Sequence, residues 1–462
     1  MKKKEIPVWI LSFLFFGILC AGFGAGLYPD SESYLYMTAE REPLYPLFLH
    51  LCEKLFQSHQ LQGVIVIQNL LAACSVAYFT CVMHRLFLRD RKPVLEWGGT
   101  LVLWGCALMP NLMTPLGSAS HMVLSNSILT EGLTYSFYLL FATELIRGLL
   151  EKGKGIRDRR NAYLRALVFV FLLLLLRNQM VTTLLIWIIV TGFSVLDPKT
   201  EGKKKVFRCG GILLAALVVF LLKSVCFQLY YDTYCEGYSG KDLGNVGFLA
   251  NALYLADGTE NVIIQDNMLQ SAYEQMRMEQ LKQGLFVQRA GTPIGRALHY
   301  EDCYDPLKFD VIQPILEKEV KARGITGRDV NATVYGQCGE LFRELLPTVR
   351  GSYLSSIGDN LCLGLIRTVS LPHGVFLLMG IAVYLALLVL LVWNIREKKS
   401  REIRLLLFLA LGMTLLHTGA TATVIMCLSR YVIYNTTLLY SAGFLALVEF
   451  VEALLERSAS EQ

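Results

Sequence analysis

Two acids and an arginine follow the first apolar segment of the chain within a short stretch. Asp30 and Glu32 are separated by one residue, and Arg41 comes shortly after them. Ionisable side chains at the mouth of an apolar bundle are costly to keep, so they are candidates for function. A carboxylate there can accept the proton of a hydroxyl nucleophile. A guanidinium can bind a phosphate through two parallel hydrogen bonds.

Three more ionisable residues stand out because of where they interrupt the apolar pattern. Glu131 lies inside an apolar segment, whereas Arg177 and Arg430 lie at the ends of such segments. Arginines at these positions can hold a phosphate and stabilise the charge that develops on it as it departs. One acid and several arginines in a membrane suit a sugar carried on a lipid phosphate. Tyr34 and Tyr45 are further candidates for this site.

The composition indicates an integral membrane protein. The chain has 462 residues, of which 54% are hydrophobic and 18% are charged, against roughly a quarter charged in soluble domains. The net charge of +5 comes from Lys and Arg residues in short loops. Because no basic face or aromatic stacking module accompanies them, nucleic-acid binding is excluded.

No Cys-x-x-Cys pair is present, so the twelve cysteines indicate neither a zinc site nor a redox motif.

Long apolar blocks predict ten membrane-spanning helices in an all-α fold. The fifth and sixth blocks are shorter than a bilayer requires and are separated by a hinge at residues 177–179. The predicted spans are residues 8–27, 63–86, 97–113, 127–149, 163–176, 180–196, 209–230, 374–393, 405–427 and 431–451.

Charge in the loops predicts the orientation of these spans. Basic loops fall on every second side of the predicted membrane, at residues 2–4, 85–92, 152–165, 199–208 and 396–404. Because cytoplasmic loops carry an excess of Lys and Arg, we expect both termini in the cytoplasm. All the candidate site residues then share the extracytoplasmic side, and the protein is expected in a bacterial cytoplasmic membrane.

This reading predicts three parts of the chain. Residues 1–230 form an N-terminal transmembrane module with seven spans, including a first outer loop at 28–62. Residues 231–373 form a small extracytoplasmic insert, and residues 374–462 form a C-terminal module with three spans. Apolar residues at helical spacing within 309–320 and 334–345 predict two helices of the insert, each with one buried stripe.

The chain resembles the GT-C superfamily of polytopic membrane glycosyltransferases, which includes protein mannosyltransferases and aminoarabinose transferases. The similarity rests on Tyr28-Pro29-Asp30-Ser31-Glu32-Ser33-Tyr34, Arg41-Glu42-Pro43-Leu44-Tyr45-Pro46 and Ile67-Gln68-Asn69-Leu70-Leu71. Leu129-Thr130-Glu131-Gly132-Leu133, Leu176-Arg177-Asn178-Gln179 and Ser429-Arg430-Tyr431 add weaker similarity. The resemblance implies a GT-C-like bundle in which the first outer loop carries an acidic motif and forms short helices along the membrane surface.

The resemblance also implies roles for individual residues. Asp30 would be the catalytic base or would position the acceptor, and Glu32 would be a second acid for orientation or for a metal. Arg41, Arg177 and Arg430 would bind the phosphate of a polyprenyl-phosphate-linked sugar donor. The family often has two adjacent acids, whereas Ser31 separates them here. No full ligand set is evident, so the need for a divalent metal such as Mg²⁺ or Mn²⁺ is left open.

Structural alternatives exist for these residues. Asp30 can instead cap a short surface helix. Arg41 can snorkel or cap that helix, and Glu131 can hold helices together within the bundle. Arginines at span ends serve as interfacial anchors in many membrane proteins, and tyrosines there belong to the aromatic belt; this alternative applies to Arg177, Arg430, Tyr34 and Tyr45.

The sequence therefore predicts an inverting glycosyltransferase that acts on the extracytoplasmic face, with a glycan, lipid or protein as acceptor. A flippase or transporter of lipid-linked glycans is the first alternative, although such folds commonly contain internal repeats and broken midplane helices. We see neither a repeat nor acids at mid-membrane in this chain. A non-catalytic protein of envelope-polysaccharide assembly is the second alternative.

Overall fold

A computed structural model describes residues 3–89, 91–117, 121–151, 156–195, 202–237, 244–256, 264, 266–288, 291–327 and 329–460. Residues 118–120, parts of the predicted basic loops at 152–165 and 199–208, and parts of the predicted insert lie outside these residues. Within the described ranges the chain is helical, with one isolated bridge between Gly26 and Ser127 and no strand. The predicted all-α fold is confirmed for this part of the chain.

Eighteen α-helices make up most of the described chain. In chain order they are α1 Ile6–Gly22, α2 Ser31–Leu35, α3 Leu44–Phe56, α4 Gln60–Phe87, α5 Pro93–Gly117, α6 Glu131–Leu150, α7 Ile156–Leu176, α8 Val181–Val195, α9 Gly202–Tyr234, α10 Gly244–Leu255, α11 Asn267–Gln283, α12 Pro293–Pro306, α13 Gln313–Ala322, α14 Asp329–Val369, α15 Gly374–Arg396, α16 Arg401–Val424, α17 Ser429–Val432 and α18 Thr436–Ser460. Single 3₁₀ turns lie at Lys3–Glu5, Gln57–His59, Leu124–Asn126, Asn178–Met180 and Ile433–Asn435.

A helix lies in each of the ten segments predicted as spans, but they differ in length and apolar character. Among the described residues, five helical stretches are long and apolar enough to cross a membrane. They are Leu44–Phe87, Lys204–Tyr234, Gly374–Arg396, Arg401–Val424 and Ser429–Ala459. Two shorter apolar helices, Ile6–Gly22 and Asn178–Ser194, accompany them. The predicted hinge coincides with the break between α7 and α8, where Arg177 is extended.

The long apolar helices differ in how much of their surface the protein covers. In α9 and α15 only 11% and 17% of the most apolar window is buried, whereas 67% is buried in the window of α3 and α4. A helix that is apolar on all sides and uncovered by protein is suited to contact lipid. The polar residues Gln68, Asn69 and Thr80 of α4 are fully or almost fully buried, so α4 lies inside the bundle.

The chain divides into two compact units. The first comprises residues 1–238, 368–417 and 429–462, so it contains residues of both predicted transmembrane modules. Its core is formed by buried apolar residues of α4, α5, α6, α7 and α18 among others. The second unit comprises residues 239–367 and 418–428.

The second unit contains α10 to α13 and most of α14 around a core of its own. Its predicted stripe at 309–320 is partly wrong, because Phe309 is half exposed while Leu307 and Val311 are buried. The reason is a π-helical turn at Leu307–Ile312, which inserts a residue into the helix and rotates the buried face. Leu316 and Val320 beyond the turn are buried as expected.

Candidate functional site

The segment that carries Asp30 is fixed to the segment that leads into α6. Gly26 N–H donates to the Asn126 carbonyl at 2.9 Å, and Ile128 N–H donates to the Gly26 carbonyl at 2.9 Å. The buried Ser31 hydroxyl accepts from Tyr28 N–H and donates to the Ile128 carbonyl, both at 2.9 Å. These bonds hold the start of α2 beside the start of α6, which begins at Glu131.

Asp30 immediately precedes α2, but its side chain does not cap the helix. It forms two ion pairs instead, one from Arg41 Nη2 to Oδ1 at 2.7 Å and one from Arg430 Nη2 to Oδ2 at 3.2 Å. Arg41 Nε also donates to the Ser33 hydroxyl at 2.6 Å. The alternative in which the Asp30 side chain caps α2 is therefore wrong, although the short helix itself is present.

A second carboxylate lies deeper among the same arginines. Glu131 Oε1 forms an ion pair with Arg177 Nη1 at 3.0 Å, and Arg430 Nε lies 3.8 Å from the same Oε1 atom. The Glu131 side chain is only 3% exposed, against 38% for Asp30. Arg430 thus contacts both acids, and Glu131 links α6, the break before α8, and α17.

Aromatic rings contact all three arginines. Arg41 Cζ lies 4.5 Å from the centre of the Tyr34 ring. The Tyr431 ring contacts the other two arginines. Its centre lies 4.7 Å from Arg177 Cζ and 5.0 Å from Arg430 Cζ. Cations at such distances from a ring face are attracted by its quadrupole. The rings therefore hold the guanidinium groups in place.

We call Asp30, Arg41, Glu131, Arg177 and Arg430 the outer ionic cluster. Its three guanidinium groups exceed its two carboxylates, so the cluster carries one positive charge in excess. Arg430 Nε is buried and has no hydrogen-bond partner among the described residues, and its distance of 3.8 Å to Glu131 is too long for a hydrogen bond. A buried cationic donor without a hydrogen bond favours an anionic ligand here.

Charge also determines the protonation of the cluster. Burial alone would raise the pKa of the Asp30 carboxyl, but the Arg41 and Arg430 charges outweigh it and hold that pKa below its ordinary value. Asp30 is therefore ionised throughout the neutral range and able to accept a proton. Burial raises the pKa of Tyr34 to about 12, so its hydroxyl stays protonated.

Tyr45 and Gln68 form a buried support beneath the cluster. The Tyr45 hydroxyl donates to Gln68 Oε1 at 2.9 Å, and Gln68 Nε2 donates to the carbonyls of Ser125 and Ser127 at 3.1 Å each. Tyr45 has no exposed surface, and Tyr34 is 6% exposed. The aromatic-belt alternative is therefore wrong for both tyrosines, because neither faces the membrane interface.

Gly132 allows α6 to approach Gln68 closely. A Cβ at this position would lie 2.6 Å from Gln68 Nε2, whose amide is held by the bonds just described. We expect Gly132→Ala to displace Gln68 and to destabilise the protein by about 1–3 kcal/mol. Thermal unfolding in lipid nanodiscs measures the effect. Gly105→Ala is the matched control, since nothing lies within 4 Å of its Cβ position. Equal melting temperatures for the two variants would contradict the prediction.

The structure does not bring every predicted residue to the cluster. Glu32 is exposed on α2 and takes part in none of the ion pairs found among the described residues. In a helix, residues i and i+2 point to different sides, so Glu32 points away from Asp30. Arg41, Arg177 and Arg430 are partly or largely buried and turned toward carboxylates. Arg177 and Arg430 are thus not the exposed interfacial anchors that the alternative described, and Arg41 pairs with Asp30.

Some residues that contact the arginines or the hinge were not predicted from the sequence. The Tyr434 hydroxyl accepts from Arg177 Nη1 at 3.2 Å, and Tyr431 contacts two arginines. Tyr431 and Tyr434 follow Arg430 by one and four positions. In a helical turn this spacing keeps both residues near Arg430, so the sequence did contain a signal for them. Glu42 accepts from Asn178 N–H at 3.0 Å and ties the first outer loop to the hinge. Nothing in the sequence pointed to that bond.

Among the described residues, no group of three or more His, Cys, Asp or Glu side chains is placed to hold a metal ion. The outer ionic cluster is instead rich in cationic donors. Comparisons of the chain with models of protein families, with curated proteins and with solved structures found no match.

Proposed function

We propose that this protein is an inverting membrane glycosyltransferase of the GT-C type. It would transfer a sugar from a polyprenyl-phosphate donor to the hydroxyl of a glycan, lipid or protein acceptor. In this proposal the chain crosses a bacterial cytoplasmic membrane ten times, both termini are cytoplasmic and the cluster faces outward. The observation that carries the proposal is the outer ionic cluster, in which one partly exposed carboxylate is shared between two arginines.

The arginines account for recognition of the donor phosphate. Arg41 and Arg430 are about a quarter exposed, whereas Arg177 is more deeply buried. A phosphate that enters from the exposed side meets Arg41 and Arg430 first. It can compete with Asp30 for their donors, because charge-assisted bonds to a phosphate are as strong as those to a carboxylate.

This competition would make Asp30 a stronger base only when the donor is bound. In the free protein the two arginines lower the pKa of Asp30, which makes it a weak base. A bound phosphate would neutralise part of that positive charge and raise the pKa of the carboxyl. Asp30 would then take the acceptor's proton as the acceptor oxygen bonds to the anomeric carbon. The bond from that carbon to the phosphate oxygen breaks, and its electron pair leaves with the phosphate held by arginine.

An apolar groove supports a lipid-linked donor. It has a volume of about 360 Å³ and is lined by apolar residues of α8 and α16, from Phe193 and Leu405 at one end to Leu416 at the other. The next residue, His417, shares a hydrogen bond with Thr182 and another with the Tyr431 carbonyl at 2.9 Å. The groove therefore ends one residue from a contact with Tyr431, whose ring contacts Arg177 and Arg430, which suits the prenyl chain of a donor with its phosphate at these arginines.

The direct test is release of lipid phosphate from a labelled polyprenyl-phosphate sugar by the purified protein in nanodiscs. We expect slow hydrolysis without acceptor, and we expect Arg430→Lys to raise the KM for the donor by about 10–100-fold, since it removes the bidentate fork. Arg457→Lys is the matched control on α18, where Arg457 pairs with Glu397.

Two results would contradict the proposal. One is an unchanged KM in Arg430→Lys, which would separate Arg430 from the donor. The other is the absence of any release, with any donor, by protein that is folded. Movement of the intact lipid-linked sugar across the bilayer in that case would favour the flippase alternative.

A further inference from the structure

A second polar cavity lies within the unit formed by residues 239–367 and 418–428. Its volume is about 480 Å³, which is in the range of ligand pockets. One wall is the face of α14 that carries Ser352, Ser355, Ser356 and Asp359. These residues follow the spacing of three and four positions that places side chains on one side of a helix. The cavity therefore has a continuous polar wall.

The charges in this cavity are already paired. Arg296 of α12 donates from Nε and Nη2 to the two oxygens of Asp359, at 2.7 Å each, and Arg296 Nη1 donates to the Gly291 carbonyl at 2.9 Å. All three guanidinium nitrogens are thus engaged, so the described lining residues offer no unpaired cation to a phosphate. Each carboxylate oxygen of Asp359 keeps acceptor capacity beyond its bond to Arg296.

Part of the remaining lining is apolar. Leu255, Val287 and Ala297 line the cavity together with Tyr254 and the paired Arg296. The hydroxyls of Ser352, Ser355 and Ser356 can each donate and accept a hydrogen bond. A ligand that suits this lining presents several hydroxyl groups, an apolar C–H surface and no net charge.

We propose that this cavity binds a neutral saccharide. Ring hydroxyls of the sugar bond to the serine hydroxyls and to the free acceptor sites of Asp359, and its C–H face packs on Leu255 and Val287. Arg296 holds Asp359 in a fixed orientation and keeps the site neutral. The inference rests on the cavity alone and does not depend on the proposed transfer reaction.

Saturation-transfer difference NMR on the full chain tests the inference. The protein is placed in phospholipid nanodiscs, because detergents with sugar head groups would occupy the cavity. The probes are the methyl glycosides of glucose, galactose, mannose and N-acetylglucosamine, with glucose 1-phosphate as the anionic comparison. We expect saturation transfer to at least one methyl glycoside, and weaker transfer to glucose 1-phosphate.

Ser355→Tyr should fill the cavity from an exposed position and weaken the affinity for that glycoside by at least about tenfold. Leu354→Tyr is the matched control, since Leu354 is 65% exposed and is not part of the cavity wall. Ser352→Tyr, also at an exposed position, replaces Ser355→Tyr if the latter does not accumulate. Asp30→Asn should bind the glycoside like the wild type.

Three outcomes with the wild type and the cavity variants would overturn the inference. They are the absence of transfer to every methyl glycoside, a stronger response to glucose 1-phosphate, and equal affinities in Ser355→Tyr and Leu354→Tyr. Loss of glycoside binding in Asp30→Asn would also contradict it, because it would assign binding to the outer ionic cluster. Binding by a protein that does not transfer sugar would leave this inference standing and count against the proposed function.

Discussion

Asp30→Asn should lower sugar transfer by about 10²–10⁴-fold, the usual contribution of a general base, while the protein still inserts and accumulates. Asparagine keeps the size of the side chain and can accept from Arg41, but it cannot take a proton. The loss of stability should be small, about 1 kcal/mol or less, because Asp30 is partly exposed and solvent screens its ion pairs. Transfer from a labelled polyprenyl-phosphate sugar measures the effect at saturating donor.

Glu53→Gln is the matched control for this prediction. Glu53 is an exposed acid of α3 that pairs with His50, and its loss should leave transfer unchanged. The pH profile of kcat/KM, which reports groups of the free protein, adds a second check. Because the pKa of Asp30 in the free protein lies below its ordinary value, we expect kcat/KM to fall only as the pH falls through the lowered pKa. Normal transfer by Asp30→Asn would remove Asp30 from the role of base.

Arg177→Ala should destabilise the protein by about 3–5 kcal/mol, because it leaves a buried carboxylate with much of its charge uncompensated. The Glu131 side chain is 3% exposed, and its other arginine, Arg430, approaches no closer than 3.8 Å. The variant should also bind the donor more weakly. Thermal unfolding with and without a donor analogue separates the two effects.

The double variant Arg177→Met, Glu131→Leu distinguishes a structural role from binding of the donor. Removal of both charges leaves no unpaired buried ion, and apolar replacements of a buried pair are often neutral for stability. We expect the melting temperature to return close to that of the wild type while the dependence on donor concentration stays impaired. Wild-type donor binding in the double variant would assign the pair to structure alone.

Local sequence allowed the separate parts of the site to be predicted, but not how they pair. The break at Arg177 was predictable, since two short apolar blocks flank a polar triplet. The burial of Glu131 was predictable as well, because an acid in an apolar segment needs a partner. The position of Glu32 was less predictable. Whether its side chain lies beside that of Asp30 depends on α2, a helix of five residues, because that helix decides the side to which each acid points.

The long-range pairs could not be predicted from the chain. Asp30 and Arg430 are separated by 400 positions, and no local pattern specifies which arginine meets which acid. The same holds for the support beneath the cluster, where Gln68 fits only because residue 132 is a glycine. Of the ten predicted spans, the described residues support five by length and apolar character, and the other five stay a prediction.

The wide separation of Asp30 and Arg430 has a consequence for biosynthesis. Translation proceeds from the N-terminus, so the ribosome makes the acid hundreds of residues before the arginine that completes its pairing. During that interval Arg41 is the arginine of the outer ionic cluster that is present beside Asp30, and the partner of Glu131 follows at Arg177. The charged centre therefore cannot be complete before residue 430 has been made, and a chain that stops earlier would keep Asp30 with one of its two arginines.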